Sequence, residues 1–324
     1  MGLNSRQINI YPALLCLLLV TACGGGGGGG SSGGSAPPVA SAAPPSVTGV
    51  TTQDPNAPLV TGDTATDGFN YMNYRRLQAG LQAVTRNSQL DVAAQSHSNY
   101  QQLNHQITHV ETVGNPGFTG VNLSDRLAAA SYQFGQNGYA FGEVISSSSD
   151  PSGVNAAEDL IAAIYHRFVI FEPAFKEAGA GAATTESGTT YFTVDFAVNG
   201  LSRTSGQANY IVYPYADQHN VPTNFFSDFE SPDPIPDKNE VGYPISIHAD
   251  IISTLTINTF TVQPHGGTVL PVKLLTQQTD TNTSGSEAAI IPLDRLTAAT
   301  TYDVQFAGSV DGIPVTRSWS FTTQ

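Results

Sequence analysis

Hydrophobic residues recur at helical spacing once the chain passes residue 66. Asp67 is a predicted helix N-cap, and Phe69, Met72 and Leu77 follow it on one face. A second helix is predicted over residues 88–104. Its face is marked by Leu90, Ala94, His97, Gln101 and Asn104. The pattern therefore predicts that the folded part begins with two amphipathic helices.

Two more helices are predicted before the first long β pattern. The first is short and covers residues 124–131. The second begins at Asn155, because Glu158 three residues later would complete a capping box. This assignment places His166 near the C-terminal end of the second of these helices.

Alternation with a period of two residues follows Pro173. Residues 178–183 and 191–198 are predicted strands, and the second alternates polar with apolar side chains. Helices followed by a short sheet predict the α+β class, as a layered α-β-α sandwich over residues 67–200.

The pattern changes again over residues 205–324, where short β-rich runs are separated by Pro, Gly, Asn and Asp. This spacing is typical of a sandwich and predicts an all-β immunoglobulin-like module. The closing run from Trp319 to Thr323 resembles the last strand of bacterial immunoglobulin-like modules in surface proteins.

The N-terminus predicts export. Residues 1–22 contain one basic residue, Arg6, and an apolar run too short to span a bilayer, which is typical of a signal peptide. Residues 20–23 resemble a bacterial lipobox, so we expect Cys23 to be acylated, with an ordinary signal peptide as the alternative. Gly24 after the cysteine resembles lipoproteins of the outer membrane. We therefore expect an outer-membrane lipoprotein of the bacterial cell envelope, bound to the membrane through its lipid anchor.

Composition limits the remaining choices. Residues 23–66 are rich in Gly, Ser, Pro and Ala and are predicted to be a disordered linker. The other cysteine, Cys16, lies in the signal, so no disulfide is expected in the mature protein. The formal net charge of −14, with only 12 Lys and Arg, argues against nucleic acid as a partner.

Three residues are candidates for a functional site: His109, Glu143 and His166. Two imidazoles and a carboxylate can hold a divalent cation such as zinc, or can take part in acid and base chemistry. They can also hydrogen-bond one another as a purely structural network. The sequence leaves these alternatives open.

The order of several motifs resembles the CAP superfamily of cysteine-rich secretory proteins, antigen five and pathogenesis-related proteins, in its cysteine-free bacterial branch. The motifs are Asn73-Tyr74-Arg75-Arg76, Leu90 to His97, His109, Gly142-Glu143-Val144, Tyr165-His166-Arg167 and Glu177 to Gly181. The resemblance implies a cleft with two histidines and up to two acids, which holds a divalent ion in some members. By position, His109 and His166 match the histidines and Glu143 matches the acid of a Gly-Glu-Asn-like motif, in which Val144 replaces the asparagine.

The second acid of such a cleft is harder to place. Glu158 lies two helical turns before His166, too far for both to bind one ion. Glu111 would share a face with His109 in an extended segment, so it is the candidate fourth cleft residue.

His97 falls on the apolar face of its helix and is predicted to be a packing residue. His105 and His109 have the spacing of a zinc-protease helix, but Gln106 stands where that motif needs glutamate.

The sequence thus predicts an exported, lipid-anchored surface protein that binds an extracellular ligand or partner in a His/Glu cleft. Some CAP proteins bind sterols or other lipids, so the resemblance implies such a ligand. One alternative is a metal-assisted hydrolase with Glu143 as general base. Another is an envelope adhesion or structural protein. The Gly-x-Ser-x-Gly pattern occurs only within the glycine- and serine-rich tract at residues 29–34, where no strand-to-helix turn is predicted, and no free catalytic cysteine is present. The sequence therefore favours binding over hydrolysis.

Overall fold

The computed structural model describes residues 56–201 and 208–324. The predicted signal peptide, the predicted lipidation site Cys23 and residues 23–55 of the predicted linker lie outside this part. None of the helices within it is both long and apolar enough to cross a membrane.

The first folded region combines five helices with one four-stranded sheet. The helices are α1 (Thr64–Gln78), α2 (Ser88–Asn104), α3 (Leu123–Ala129), α4 (Gly153–Ala162) and α5 (Ile164–Ile170), and the strands are β1 (Thr85–Arg86), β2 (Tyr139–Ser148), β3 (Glu177–Thr184) and β4 (Thr190–Asn199). The strand order is β1-β3-β4-β2, with β1 parallel to β3 and the other pairs antiparallel. The predicted α+β class is confirmed for this region.

Helix α1 begins earlier than predicted. The N-cap is Asp63, whose side chain accepts a hydrogen bond from the backbone N–H of Thr66. Asp67 is buried inside the first turn, where its carboxylate accepts from the backbone N–H groups of Thr61 and Gly62. The prediction of Asp67 as N-cap was therefore wrong, and the last residues of the predicted linker belong to α1.

The long helix predicted from Asn155 is two helices. Ser152 caps α4 by accepting from the backbone N–H of Asn155, so the predicted Asn155–Glu158 capping box is wrong. Ala163 has extended backbone angles and separates α4 from α5. His166 consequently lies in the first turn of α5 instead of at the end of a longer helix.

The helices lie on both faces of the sheet. Phe192 of β4 packs its ring against Gly68 of α1, and α4 packs on α1. On the other face, α2 crosses β3 so closely that a Cβ added at Gly179 or Gly181 would overlap its backbone. The Gly-Ala-Gly motif of β3 is therefore a close-approach site, and the region is layered as α-β-α.

The second region is β-rich and contains several sheets. Its strands are β5 (Tyr210–Tyr213), β6 (Gln218–Val221), β7 (Asn224–Phe226), β8 (Glu240–Gly242), β9 (Ile245–Ala249), β10 (Leu255–Pro264), β11 (Val272–Leu275), β12 (Glu287–Pro292), β13 (Thr301–Val310) and β14 (Ile313–Thr323). Two sheets have four strands, in the orders β10-β13-β14-β6 and β11-β12-β9-β5, and β7 pairs with β8. Phe306 and Trp319 of the first sheet share one hydrophobic core with Ile247 and Ile290 of the second.

Arg167 of α5 joins the two regions. Its guanidinium carbon lies 5.0 Å from the ring centroid of Tyr213 and 4.8 Å from that of Tyr243. Its Nη1 donates a 2.6 Å hydrogen bond to the carbonyl of Pro244. Because this side chain is fully buried, the β-rich region packs directly on α5.

Candidate functional site

Glu143 and His109 form the centre of the site. Glu143 lies on β2, and its side chain is 3 % exposed. His109 lies between α2 and α3, and its Nδ1 is 2.8 Å from Glu143 Oε1. Thus two of the three residues singled out in the sequence come together.

Arg126 of α3 completes this arrangement. Its Nη2 donates to Glu143 Oε1 and Oε2 at 2.8 and 2.7 Å, and its Nη1 donates to the carbonyl of His109 at 3.0 Å. The capping box between Asn122 and Asp125 starts α3 and sets the direction of this helix. We call His109, Arg126 and Glu143 the His109 site.

The charge of Glu143 is strongly stabilised. Burial alone would raise its pKa, but Arg126, His97 and His109 together hold the pKa of Glu143 well below its usual range. A carboxylate stabilised in this way is a weak proton acceptor. The geometry therefore does not favour Glu143 as a general base.

His97 and Glu111 form a second buried pair beside the site. His97 Nδ1 is 2.9 Å from Glu111 Oε1, its Nε2 is 2.7 Å from the carbonyl of Thr108, and the same Nε2 is 4.0 Å from Glu143 Oε1. Both ring nitrogens therefore lie within hydrogen-bond distance of an oxygen. His97 is thus a buried ring with both nitrogens hydrogen-bonded, which confirms the packing residue that the sequence predicted.

Glu111 stabilises the loop that follows His109. It accepts hydrogen bonds from the backbone N–H groups of Thr119 and Gly120. Burial opposes ionisation, but the bonds from His97 and these two amides lower the pKa of Glu111. The structure pairs Glu111 with His97, whereas the sequence placed it beside His109 as a fourth cleft residue.

His166 binds the β-rich region. Its Nδ1 is 3.2 Å from Oε1 of Glu230, which also accepts from the backbone N–H of Tyr165, while Oε2 accepts from that of Ile164. Helix α5 packs on the sheet face that carries Gly142, opposite the face that carries Glu143. The structure therefore does not bring His166 together with His109 and Glu143.

The model of the cysteine-rich secretory protein family, CAP, matches residues 69–196. Residues 69–196 are a CAP domain. The match includes every residue of the His109 site, and it ends before the β-rich region.

Three solved structures are similar to this chain. An outer surface protein from Borrelia burgdorferi is 14% identical, with 44% of this chain and 96% of that chain covered and a TM-score of 0.36. An extracellular protein containing an SCP domain from Bacillus anthracis str. Ames is 20% identical, with 43% and 44% covered and a TM-score of 0.35. Venom allergen-like protein 4 from Schistosoma mansoni is 12% identical, with 44% and 92% covered and a TM-score of 0.30. No curated protein matches the chain.

A metal site in the CAP domain stays a prediction. Within residues 56–201 and 208–324, no three His, Cys, Asp or Glu side chains are grouped so that they could hold a metal ion. The oxygens of Glu143 are bound by Arg126 and His109, and His166 is bound to Glu230. The expected set of His109, Glu143 and His166 is not assembled in this structure.

Two residues of the CAP domain were missed as site residues. From the sequence, Arg126 was expected to pair with Asp125 or a nearby acid and was given no catalytic role, and the structure shows that its acid is Glu143. Asp195 of β4 is fully buried and directly opposite Glu143 of β2. The sequence gives no signal for Asp195, because the alternation of residues 191–198 places it among the polar side chains of the strand.

His109 is the accessible residue of the site. Its side chain is 32 % exposed, whereas those of Arg126 and Glu143 are buried. Because Nδ1 faces Glu143, Nε2 is the ring nitrogen left to meet a ligand. In the neutral ring with a proton on Nδ1, this Nε2 accepts a hydrogen bond.

Proposed function

We propose that this chain is an exported surface protein whose CAP domain binds a hydroxyl-bearing amphipathic ligand, such as a sterol, at the His109 site. The observation that carries the proposal is the fixed orientation of a partly exposed imidazole. Glu143 holds His109, and Arg126 holds Glu143. A ring fixed in this way presents Nε2 to a ligand hydroxyl at little entropic cost.

Exposed apolar side chains on the same loop support an amphipathic ligand. Ile107, Val110 and Val113 are large hydrophobic residues with 51%, 47% and 71% of their surface exposed. They precede and follow His109 within a few residues. Single exposed apolar side chains are common on protein surfaces, whereas groups of them are rare and are typical of binding surfaces. The CAP resemblance supports the same ligand class.

Anchoring and the β-rich region belong to the same proposal. The lipobox-like residues 20–23 and Gly24 support an outer-membrane lipoprotein acylated at Cys23. The two four-stranded sheets, with a shared core, support an immunoglobulin-like spacer or adhesion module. The protein would then hold its CAP domain outside the membrane.

Sterol binding by the purified mature chain tests the proposed ligand site. Tritiated cholesterol is the probe, and the variants are His109→Ala and the control His265→Ala, which removes an exposed histidine of the β-rich region. We expect saturable binding by the wild type and the control, and at least tenfold weaker binding by His109→Ala. The proposal fails if the wild type does not bind cholesterol, or if His109→Ala binds it equally well.

A further inference from the structure

Asp195 and Glu143 are direct neighbours across the sheet. They are paired positions of the antiparallel strands β4 and β2, so their side chains leave the sheet on the same face. Directly opposite residues have Cβ atoms about 4.5–5.5 Å apart, which puts two carboxyl groups side by side. On the other side of Asp195, the paired residue of β3 is Gly179, which offers no side chain.

No donor bonds to the carboxyl group of Asp195 within the part of the chain that the structure describes. Its carboxyl group is completely buried, and neither oxygen receives a hydrogen bond from any residue that the structure describes. Glu143 is within hydrogen-bond reach of this group, but an ionised carboxylate only accepts. A buried ionised Asp195 would therefore be left without a compensating hydrogen bond, which is costly.

Arg126 cannot neutralise both acids. Its Nη2 binds Glu143 and its Nη1 binds the carbonyl of His109, and its Nε has no partner among residues 56–201 and 208–324. Two buried carboxylates next to each other repel one another, so one of them binds a proton. Glu143 receives the bonds from Arg126 and His109, and this leaves the proton for Asp195.

We propose that Asp195 is a positioning residue, which keeps its proton and donates a hydrogen bond to Glu143. This bond fixes the Glu143 carboxylate, and the fixed carboxylate orients the ring of His109. This hydrogen bond links Glu143 of β2 to the neighbouring strand β4, just as the bonds from Arg126 link Glu143 to α3. Burial and the adjacent Glu143 also raise the pKa of Asp195 well above its usual value. The protonation of Asp195 and its hydrogen bond to Glu143 do not depend on the proposed function. Only their effect on ligand binding rests on the proposed function.

Infrared and NMR spectra of the ligand-free mature chain test the inference. The variants are Asp195→Asn, which keeps a donor of nearly the same shape, and Asp195→Ala, which removes it. At neutral pH we expect a protonated-carboxyl band that is lost in Asp195→Asn. The ring ¹⁵N signals of His109, assigned with His109→Ala, should report a proton on Nδ1 in the wild type and in Asp195→Asn. They should show a loss of this preference in Asp195→Ala.

A matched control separates Asp195 from other buried acids. Glu172→Gln removes a different buried carboxyl, and it should remove another band while leaving the His109 signals unchanged. The inference is overturned if Asp195→Asn loses no carboxyl band, or if it perturbs His109 as much as Asp195→Ala does. If Asp195→Ala does not fold, the wild type and Asp195→Asn still decide the question. Because no ligand is present, failure here is distinct from failure of cholesterol binding.

Discussion

Arg126 binds both carboxylate oxygens of Glu143 through a single nitrogen, at 2.8 and 2.7 Å, and both side chains are buried. The two residues come from α3 and β2, so this ion pair fixes the helix on the edge strand of the sheet. A pair of this kind is costly to break on one side only, because the other charge remains buried without compensation.

We predict that Arg126→Met lowers the free energy of unfolding by about 3–5 kcal/mol. The loss arises from the uncompensated charge of Glu143, so the double variant Arg126→Met/Glu143→Gln should recover part of it. Urea denaturation followed by circular dichroism measures both values. Arg317→Met, at an exposed position of β14, is the control and should change stability by less than about 0.5 kcal/mol. Equal stability of Arg126→Met and the wild type would contradict the role of the ion pair.

Glu230 joins the β-rich region to the first turn of α5. Its side chain is buried and accepts bonds from three backbone N–H groups of α5, those of Ile164, Tyr165 and His166. We predict that Glu230→Ala destabilises the protein by about 2–4 kcal/mol, because a helix cap is lost and buried donors are left unpaired. Thermal unfolding measures the effect.

His166→Ala is the comparison for Glu230→Ala. It removes only the side-chain contact, so it should cost less than Glu230→Ala, and cholesterol binding should be unchanged. A loss of binding as large as that of His109→Ala would show that His166 does act at the ligand site.

Local patterns predicted some of this structure correctly. The bounds predicted for α2 are those observed, because Asn87 caps a helix whose apolar face is regular. Strand β2 was not predicted, since Gly142 and a run of serines obscure its alternation, although Val144 is buried in the core. The partner of His166 could not be predicted either. Glu230 is 64 residues away in a different sheet region, and no local pattern specifies such a contact.

Removal of the acylation site tests the proposed anchor. Cys23→Ala should shift the protein from the membrane fraction to the soluble fraction, because the acyl chains supply the membrane affinity. Fractionation with immunoblotting measures the distribution, and intact mass measures the lipid. Cys16→Ala changes a cysteine inside the predicted signal and should leave both readouts unchanged. An unchanged mature mass in Cys23→Ala would contradict acylation.

Glu172 makes the stability of the junction between the two regions depend on pH between 4.5 and about 8. Its buried carboxylate accepts bonds from the backbone N–H groups of Ala174 and of Ile251, which belongs to the β-rich region. Burial, with the charges of Glu287 and Asp250 adding to it, raises the pKa of Glu172 from 4.5 to about 8. Arg76 also faces this group, and its pKa is lowered by burial to about 10.

The sign of the pH dependence follows from the proton that the folded state retains. Between pH 4.5 and about 8 the folded protein binds this proton and the unfolded chain does not. The stability contribution is therefore complete below pH 4.5 and is lost as the pH rises, by about 1.4 kcal/mol per pH unit. Glu172→Gln cannot titrate, so its stability should fall less steeply across this range. Urea denaturation of both proteins at several pH values measures the difference, and parallel curves would contradict the assignment.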